Sequence, residues 1–191
     1  MRRLPLVASL AALALAGCNA GDESALGNGG DAVMNEETRA AHEQRAPDPE
    51  LVMHDRWSEL FGDPARVVSA ANEFGYGASS YAATGATPPY RAAGEQAIGE
   101  ENAPVRIASS FTAGGGSANR IDTVTFTFDV HVAGNPQSRD VREALNTPRR
   151  IVNGFFGRFG VGPGDAVTGA LTRLESGNAT RYGVRTTVVT T

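Results

Sequence analysis

Two stretches in the middle of the chain alternate apolar with polar or small residues, the pattern of a β-strand that buries one face. In the first stretch the apolar members are Val105, Ile107 and Phe111. The second, Ile121–Val132, has Val124, Phe126, Phe128, Val130 and Val132 on one face and Thr123, Thr125, Thr127, Asp129 and His131 on the other. The glycine-rich loop 113–120 between them favours an antiparallel hairpin.

Apolar residues at helical spacing predict helices on both sides of this hairpin. Before it we expect two short helices, one around 57–62 and one over 64–74. After it a helical stretch covers 139–158, where Thr147-Pro148 predicts a kink or a fresh start. Asp165 can cap a last helix, which we expect to stop near Gly177.

The remaining segments favour strands. Tyr76–Ala83 and Tyr90–Ile98 could form weak strands within the ambiguous region 76–103, and the β-branched run 182–191 predicts a final strand. The sum is an α+β fold: an antiparallel sheet with helices packed on one face, in a single small domain over residues 51–191. Helices within 139–174 would cover the apolar face of 124–132.

The first 17 residues have the layout of a secretory signal. Arg2 and Arg3 precede a 14-residue apolar run, residues 4–17, which is shorter than the roughly 20 residues that span a bilayer. No second long apolar stretch follows, so the sequence predicts no transmembrane anchor.

At Leu15-Ala16-Gly17-Cys18 the chain resembles the lipobox of bacterial lipoprotein precursors. The resemblance covers residues 1–18 and carries no information on the fold. It implies that Cys18 receives diacylglycerol, that a peptidase cuts before Cys18, and that the new amine is acylated in Gram-negative bacteria. Asn19, where Asp commonly retains lipoproteins at the inner membrane of enteric bacteria, implies the periplasmic face of the outer membrane. Cys18 is the chain's one cysteine, so lipid would use its only thiol.

Residues 18–50 predict a flexible acidic tether, because they are rich in Gly, Asp and Glu and poor in large apolar groups. Residues 18–63 hold 11 acids and 3 arginines, a net charge of −8, whereas residues 64–191 hold 12 arginines and 10 acids, a net charge of +2. Neither part has the strongly basic balance that nucleic-acid binding requires.

Asp129 and His131 are the candidate catalytic residues, because they are neighbours on the polar face of a strand. A carboxylate can orient an imidazole for base catalysis. Two such residues supply too few ligands for zinc, so no metal and no cofactor are expected. The aromatic residues Trp57, Tyr76, Tyr81 and Tyr90 could line a groove. The arginines of the 139–158 stretch could contact an anionic glycan or lipopolysaccharide: Arg139, Arg142, Arg149, Arg150 and Arg158.

The favoured hypothesis is a membrane-anchored periplasmic lipoprotein without catalytic activity, whose domain binds an envelope protein or glycan or has a structural role. One alternative is a hydrolase or metal-dependent enzyme that uses Asp129 and His131. This alternative needs a third acid, His or Ser near His131 in a concave pocket. The other alternative is a carrier that encloses a small apolar ligand between the sheet and the helices of 139–174.

Overall fold

The computed structural model of the chain describes residues 48–133, 135 and 137–190, and the backbone of residues 5–12. Within these residues the helices are α1 (Pro49–Gly62), α2 (Pro64–Glu73), α3 (Arg139–Ala144), α4 (Thr147–Gly157) and α5 (Asp165–Arg173). The strands are β1 (Pro5–Ala12), β2 (Ala82–Ala83), β3 (Tyr90–Ile98), β4 (Val105–Gly115), β5 (Thr123–Val132), β6 (Gly177–Arg181) and β7 (Val184–Thr190). The lipobox with Cys18, and all but the last three residues of the predicted tether, lie outside the described residues.

The strands form one sheet in the order β2-β3-β4-β5-β1-β7-β6, and all the pairings are antiparallel. Strands β2 to β5 follow each other in sequence and in space, and the β4–β5 hairpin sets Phe111 opposite Phe126. Strand β1 lies between β5 and β7, with Ala8 opposite Phe126 on one side and Val188 on the other. Residues of the predicted leader thus connect the β2–β5 part of the sheet to the β6–β7 hairpin.

The core lies between one face of the sheet and the helices, and aromatic rings fill it. The Phe155 ring of α4 lies 5.0 Å from the Phe126 ring of β5 and 5.9 Å from the Phe111 ring of β4, measured between centroids. Trp57 of α1 contacts Phe156 of α4 at 5.4 Å. Burying aromatic surface of this kind is a principal source of folding free energy. The predicted α+β class, with an antiparallel sheet, helices packed on one face and a single small domain, is confirmed.

The helix boundaries follow most of the predicted signals. The 139–158 stretch divides into α3 and α4, so the chain makes a fresh start at Thr147 instead of a kink. Helix α1 begins at Pro49, two residues before the predicted domain boundary, and the Asp48 side chain accepts a hydrogen bond from the Glu50 amide at 2.9 Å. Among the described residues, no helix is long and apolar enough to cross a membrane.

The prediction for the last helix was wrong at both ends. Gly164, with φ 89°, takes the N-cap position, and Asp165 is already helical. At the other end Leu174 adopts the left-handed conformation with φ 54° and stops the helix. Gly177 begins β6, a strand that the sequence pattern did not predict, because Thr180 is its one β-branched residue and it has no aromatic residue.

The predicted hairpin differs from the structure in the lengths of its two strands. Strand β4 continues to Gly115, into the predicted loop, whereas β5 begins at Thr123. Val132, assigned to the apolar face, is 37% exposed, because it lies at the end of β5 beyond the cover of the helices.

Candidate functional site

The side of β3, β4 and β5 that points away from the helices carries no described helix, and we call it the open face. Its residues alternate with buried ones, since successive side chains of a strand point to opposite sides. The members are Arg91, Ala93, Glu95 and Ala97 of β3, Arg106, Ala108, Ser110, Thr112 and Gly114 of β4, and Thr123, Thr125, Thr127, Asp129 and His131 of β5. Arg91 and Arg106 lie towards opposite ends of this face. Most side chains between them are small or bear a hydroxyl group, so the central part of the face has little relief.

Two open depressions lie along the open face. The first has a volume of about 480 Å³, and its lining includes Glu95, Ser110, Thr127 and Asp129. The second has a volume of about 410 Å³ and lies between the loop 87–89 and the neighbouring ends of β4 and β5. The first is lined by residues of β3, β4 and β5, and the second by residues of β4, β5 and the loop, so both lie beside the β4–β5 hairpin.

A glycine allows the loop 87–89 to lie directly on the sheet. A Cβ atom at Gly114 would be 2.7 Å from the Cγ atom of Pro88, closer than two such atoms can approach. Sequence reasoning missed this wall of the second depression, although the unusual run of small residues on the polar side of β4 was a signal that something approaches the strand closely.

Asp129 and His131 are both exposed, and each has different neighbours on the open face. Asp129 lies opposite Ala108 and contributes to the first depression, whereas His131 lies opposite Arg106 near the end of β5. Within the described residues, neither side chain forms a hydrogen bond or an ion pair. Those residues also contain no group of three or more His, Cys, Asp and Glu side chains that could hold a metal ion.

The enzyme hypothesis needs a third acid, His or Ser beside His131, and the described part of the chain does not bring one there. What the arrangement offers chemically is a carboxylate at the rim of a shallow depression and an imidazole beyond it. Such an arrangement can donate and accept hydrogen bonds from a bound partner, but it does not align a general base.

A buried polar pair lies on the opposite side of β4. The Tyr76 hydroxyl and the Ser109 Oγ atom are 2.7 Å apart, and the two residues are 1% and 4% exposed. Burial raises the pKa of Tyr76 above its ordinary value, and hydrogen bonds to the side chains of Ser109 and Gln96 partly offset this. Each hydroxyl group supplies a hydrogen-bond partner for the other, so the pair allows two polar groups to be buried in the core.

The four aromatic residues that could have lined one groove are divided between the core and the surface. Trp57 and Tyr76 are core residues, exposed by 3% and 1%. Tyr81 and Tyr90 stack on each other at 6.1 Å, and the Tyr81 hydroxyl donates a hydrogen bond to the Arg120 carbonyl at 2.7 Å. Partial burial, with the neighbouring Asp122 carboxylate and Tyr90, raises the pKa of Tyr81.

The packing between helices and sheet bears on the carrier hypothesis. The rings of Phe111, Phe126, Phe155 and Phe156 are all at most 1% exposed, and they contact one another where an apolar ligand would have to sit. A ligand pocket needs several hundred Å³ of enclosed space. Aromatic side chains of the protein itself occupy this layer, and the packing therefore does not favour a carrier.

The fold and the open face define a class: a small α+β domain with an antiparallel sheet whose one side packs on helices and whose other side, over β3–β5, is open. Comparison with protein-family models, with curated proteins and with solved structures finds no match for this chain. The function is therefore argued from its own residues.

Proposed function

We propose that this chain is the precursor of a lipoprotein of the bacterial envelope. The leader is removed before Cys18, lipid is attached to that cysteine, and the mature chain is held at the periplasmic face of the outer membrane. The observation that carries the proposal is the sequence Leu15-Ala16-Gly17-Cys18 directly after a basic start and an apolar run, in a chain with no other cysteine.

Lipidation at Cys18 would hold the protein stably at the membrane, and the tether would separate the domain from the lipid surface. Each buried methylene group of an acyl chain contributes about 0.8 kcal/mol, and two or more chains hold a protein at a bilayer stably. A coil of about 30 residues between Cys18 and α1 has a mean reach on the order of 30 Å. The domain can therefore contact structures well above the lipid surface.

Replacing the anchoring sulfur tests this proposal. Cys18→Ser should abolish incorporation of radiolabelled palmitate and move the protein from the membrane to the soluble fraction, because the hydroxyl group is not a substrate for thiol alkylation. The domain should remain folded, as circular dichroism would show, because the buried core residues of the helices and strands begin only at Trp57. Ser24→Ala, six residues further on, is the matched control and should remain labelled. Label retained on the Cys18→Ser protein would contradict the proposal.

For the domain we propose a non-catalytic role, in which the open face binds an envelope protein or glycan or joins a structural assembly. The support is the low relief of the central part of this face, its half-buried threonine side chains, and the two depressions beside β4 and β5. Stable interfaces bury about 800 Å² on each partner, and flat surfaces of small side chains allow the close approach that this requires.

A photo-crosslinking residue on the open face tests that role. Placed at Thr127 in the lipidated protein, it should give a discrete crosslinked species in intact cells. The same residue at Leu51, which is 64% exposed on α1, should give none. Equal crosslinking from both positions would mean that the open face is ordinary surface.

A further inference from the structure

We propose that maturation leaves a vacant strand position between β5 and β7, and that this position binds an extended apolar segment of a partner protein. The inference builds on the proposed function, because cleavage before Cys18 removes residues 1–17 and β1 with them. It assigns a second binding site, an acceptor for strand addition within the sheet, which adjoins the open face at β5.

Every residue of β1 is paired on at least one side, and residues 6–9 are paired on both. Residues 5–9 are in register with 129–125 of β5, and residues 6–12 are in register with 190–184 of β7. Its removal leaves the facing backbone groups of both neighbours without partners. Unpaired backbone groups at the edge of a core are costly, so these two edges form a template for another strand.

The helices hold the two edges apart. Strand β5 is packed against α4 through the Phe126 and Phe155 rings, 5.0 Å apart. The β6–β7 hairpin is packed against α5, so tightly that a Cβ atom at Gly177 would lie 2.7 Å from the Cβ atom of Ala170. Neighbouring strands are about 4.8 Å apart, so β5 and β7, two positions apart, are separated by roughly 10 Å. Closing the position would require the hairpin to slide by one strand spacing over α5.

The neighbours define what the position accepts. Ala8 is in register with Phe126 and Val188, both 1% exposed, so the occupant needs a small apolar residue there. Ser9 is in register with Thr125 and Thr187, which are half-buried, so a polar residue is acceptable at the next position. The occupant is an extended segment of five to seven residues, apolar at alternate positions, added by main-chain hydrogen bonds with specificity from alternate side chains.

The leader sequence itself is the probe. The mature chain, residues 18–191 carrying Cys18→Ser so that it stays free of lipid, is mixed with a synthetic peptide of residues 5–12. Hydrogen exchange of those amides in 125–129 and 184–190 that face the vacant position should slow by at least about tenfold when the peptide binds. The peptide with Ala8→Asp should have no effect, because it places a charge between Phe126 and Val188. The peptide with Ser9→Asp is the matched control and should still bind.

A second version of the experiment applies if the mature chain does not fold without the leader. The full chain with Cys18→Ser receives a protease site in the tether and is cut after folding, so that the leader remains bound without a covalent link. Labelled peptide of residues 5–12 should exchange with the bound fragment, and the Ala8→Asp peptide should not.

Three results would overturn the proposal. One is that, without peptide, the amides of 125–129 in the mature chain are already as protected as in the full chain. This result would mean that β7 has closed onto β5. Another is absence of exchange in the cut chain. The third is amide protection in the mature chain that increases with protein concentration, together with a dimer in sedimentation. This result would mean that a second copy of the chain occupies the position. Failure of the lipoprotein proposal appears separately, as native protein that retains residues 1–17 by mass spectrometry.

Discussion

At the scale of single residues, the buried contact between Tyr76 and Ser109 is the most informative polar feature of the core. Neither residue belongs to a sequence motif, and alternation alone predicts only that position 109 points inward. The pairing arises because the chain after α2 passes beneath β4 and brings the Tyr76 hydroxyl within 2.7 Å of the Ser109 Oγ atom. A hydroxyl group so placed is satisfied, whereas either partner alone would be a buried polar group without a hydrogen bond.

We expect Tyr76→Phe to lower the free energy of unfolding by about 1–2 kcal/mol at pH 7, because it leaves the Ser109 hydroxyl unpaired in the core. Ser109→Ala should cost a similar amount. The double variant should cost less than the sum of the two, since the variants remove the same interaction. Urea denaturation of the four proteins measures this, and full additivity would mean that the two hydroxyl groups do not interact.

The raised pKa of Tyr76 predicts that the free energy of unfolding falls at alkaline pH, and the same variants test this. The folded-state pKa of Tyr76 is raised above the unfolded value of about 10, so its contribution is complete below pH 10 and is lost as the pH rises through the folded pKa. Between these values the unfolded chain releases the proton and the folded chain keeps it. Tyr76→Phe should therefore lose less stability above pH 10 than the parent protein. Ser109→Ala, which keeps the phenol, should retain the decline, and part of it will persist in both through Tyr81.

At the scale of elements, β3 shows how tertiary packing can require a particular amino acid at a position where the local sequence pattern does not. Gly94 interrupts a weak strand, and sequence reasoning could only record that glycine lowers strand propensity. In the fold the segment after α2 crosses directly over this position. A Cβ atom at Gly94 would lie 2.7 Å from the Cα atom of Ala78, which is backbone and cannot rotate away.

Gly94→Ala should therefore destabilise the domain by about 1–3 kcal/mol, the range typical of overpacking, as measured by urea denaturation. Gly157→Ala is the matched control. It lies in α4 with no atom within 4 Å of the added Cβ, so it should be neutral or stabilising by up to about 1 kcal/mol. Equal losses for both variants would mean that the crossing segment yields easily.

At the scale of the whole molecule, the chain divides into an acidic N-terminal part and a nearly neutral domain, with net charges of −8 over residues 18–63 and +2 beyond. Like charges within the acidic part repel one another, so we expect this part of the chain to favour extended conformations. In the proposed lipoprotein, this would increase the distance at which the domain can meet a partner.

The proposed address gives a prediction at this scale. Asn19→Asp should leave palmitate labelling intact but move the protein from outer-membrane to inner-membrane fractions of a density gradient in an enteric host, because the residue after the lipidated cysteine directs sorting there. Asn19→Gln should keep the original distribution. An unchanged distribution for Asn19→Asp would remove the basis for assigning the outer membrane.

The sequence by itself determined the fold class, because the period of two in 123–132 and the helical spacing in 139–174 are local patterns that match the layers they form. It also determined the lipobox proposal, because a leader is recognised as a linear sequence. The tertiary structure alone decided that β6 exists, that Tyr76 and Tyr81 belong to different environments, that β1 separates β5 from β7, and that two depressions follow the open face. These features depend on which distant segments meet, and no local period encodes that.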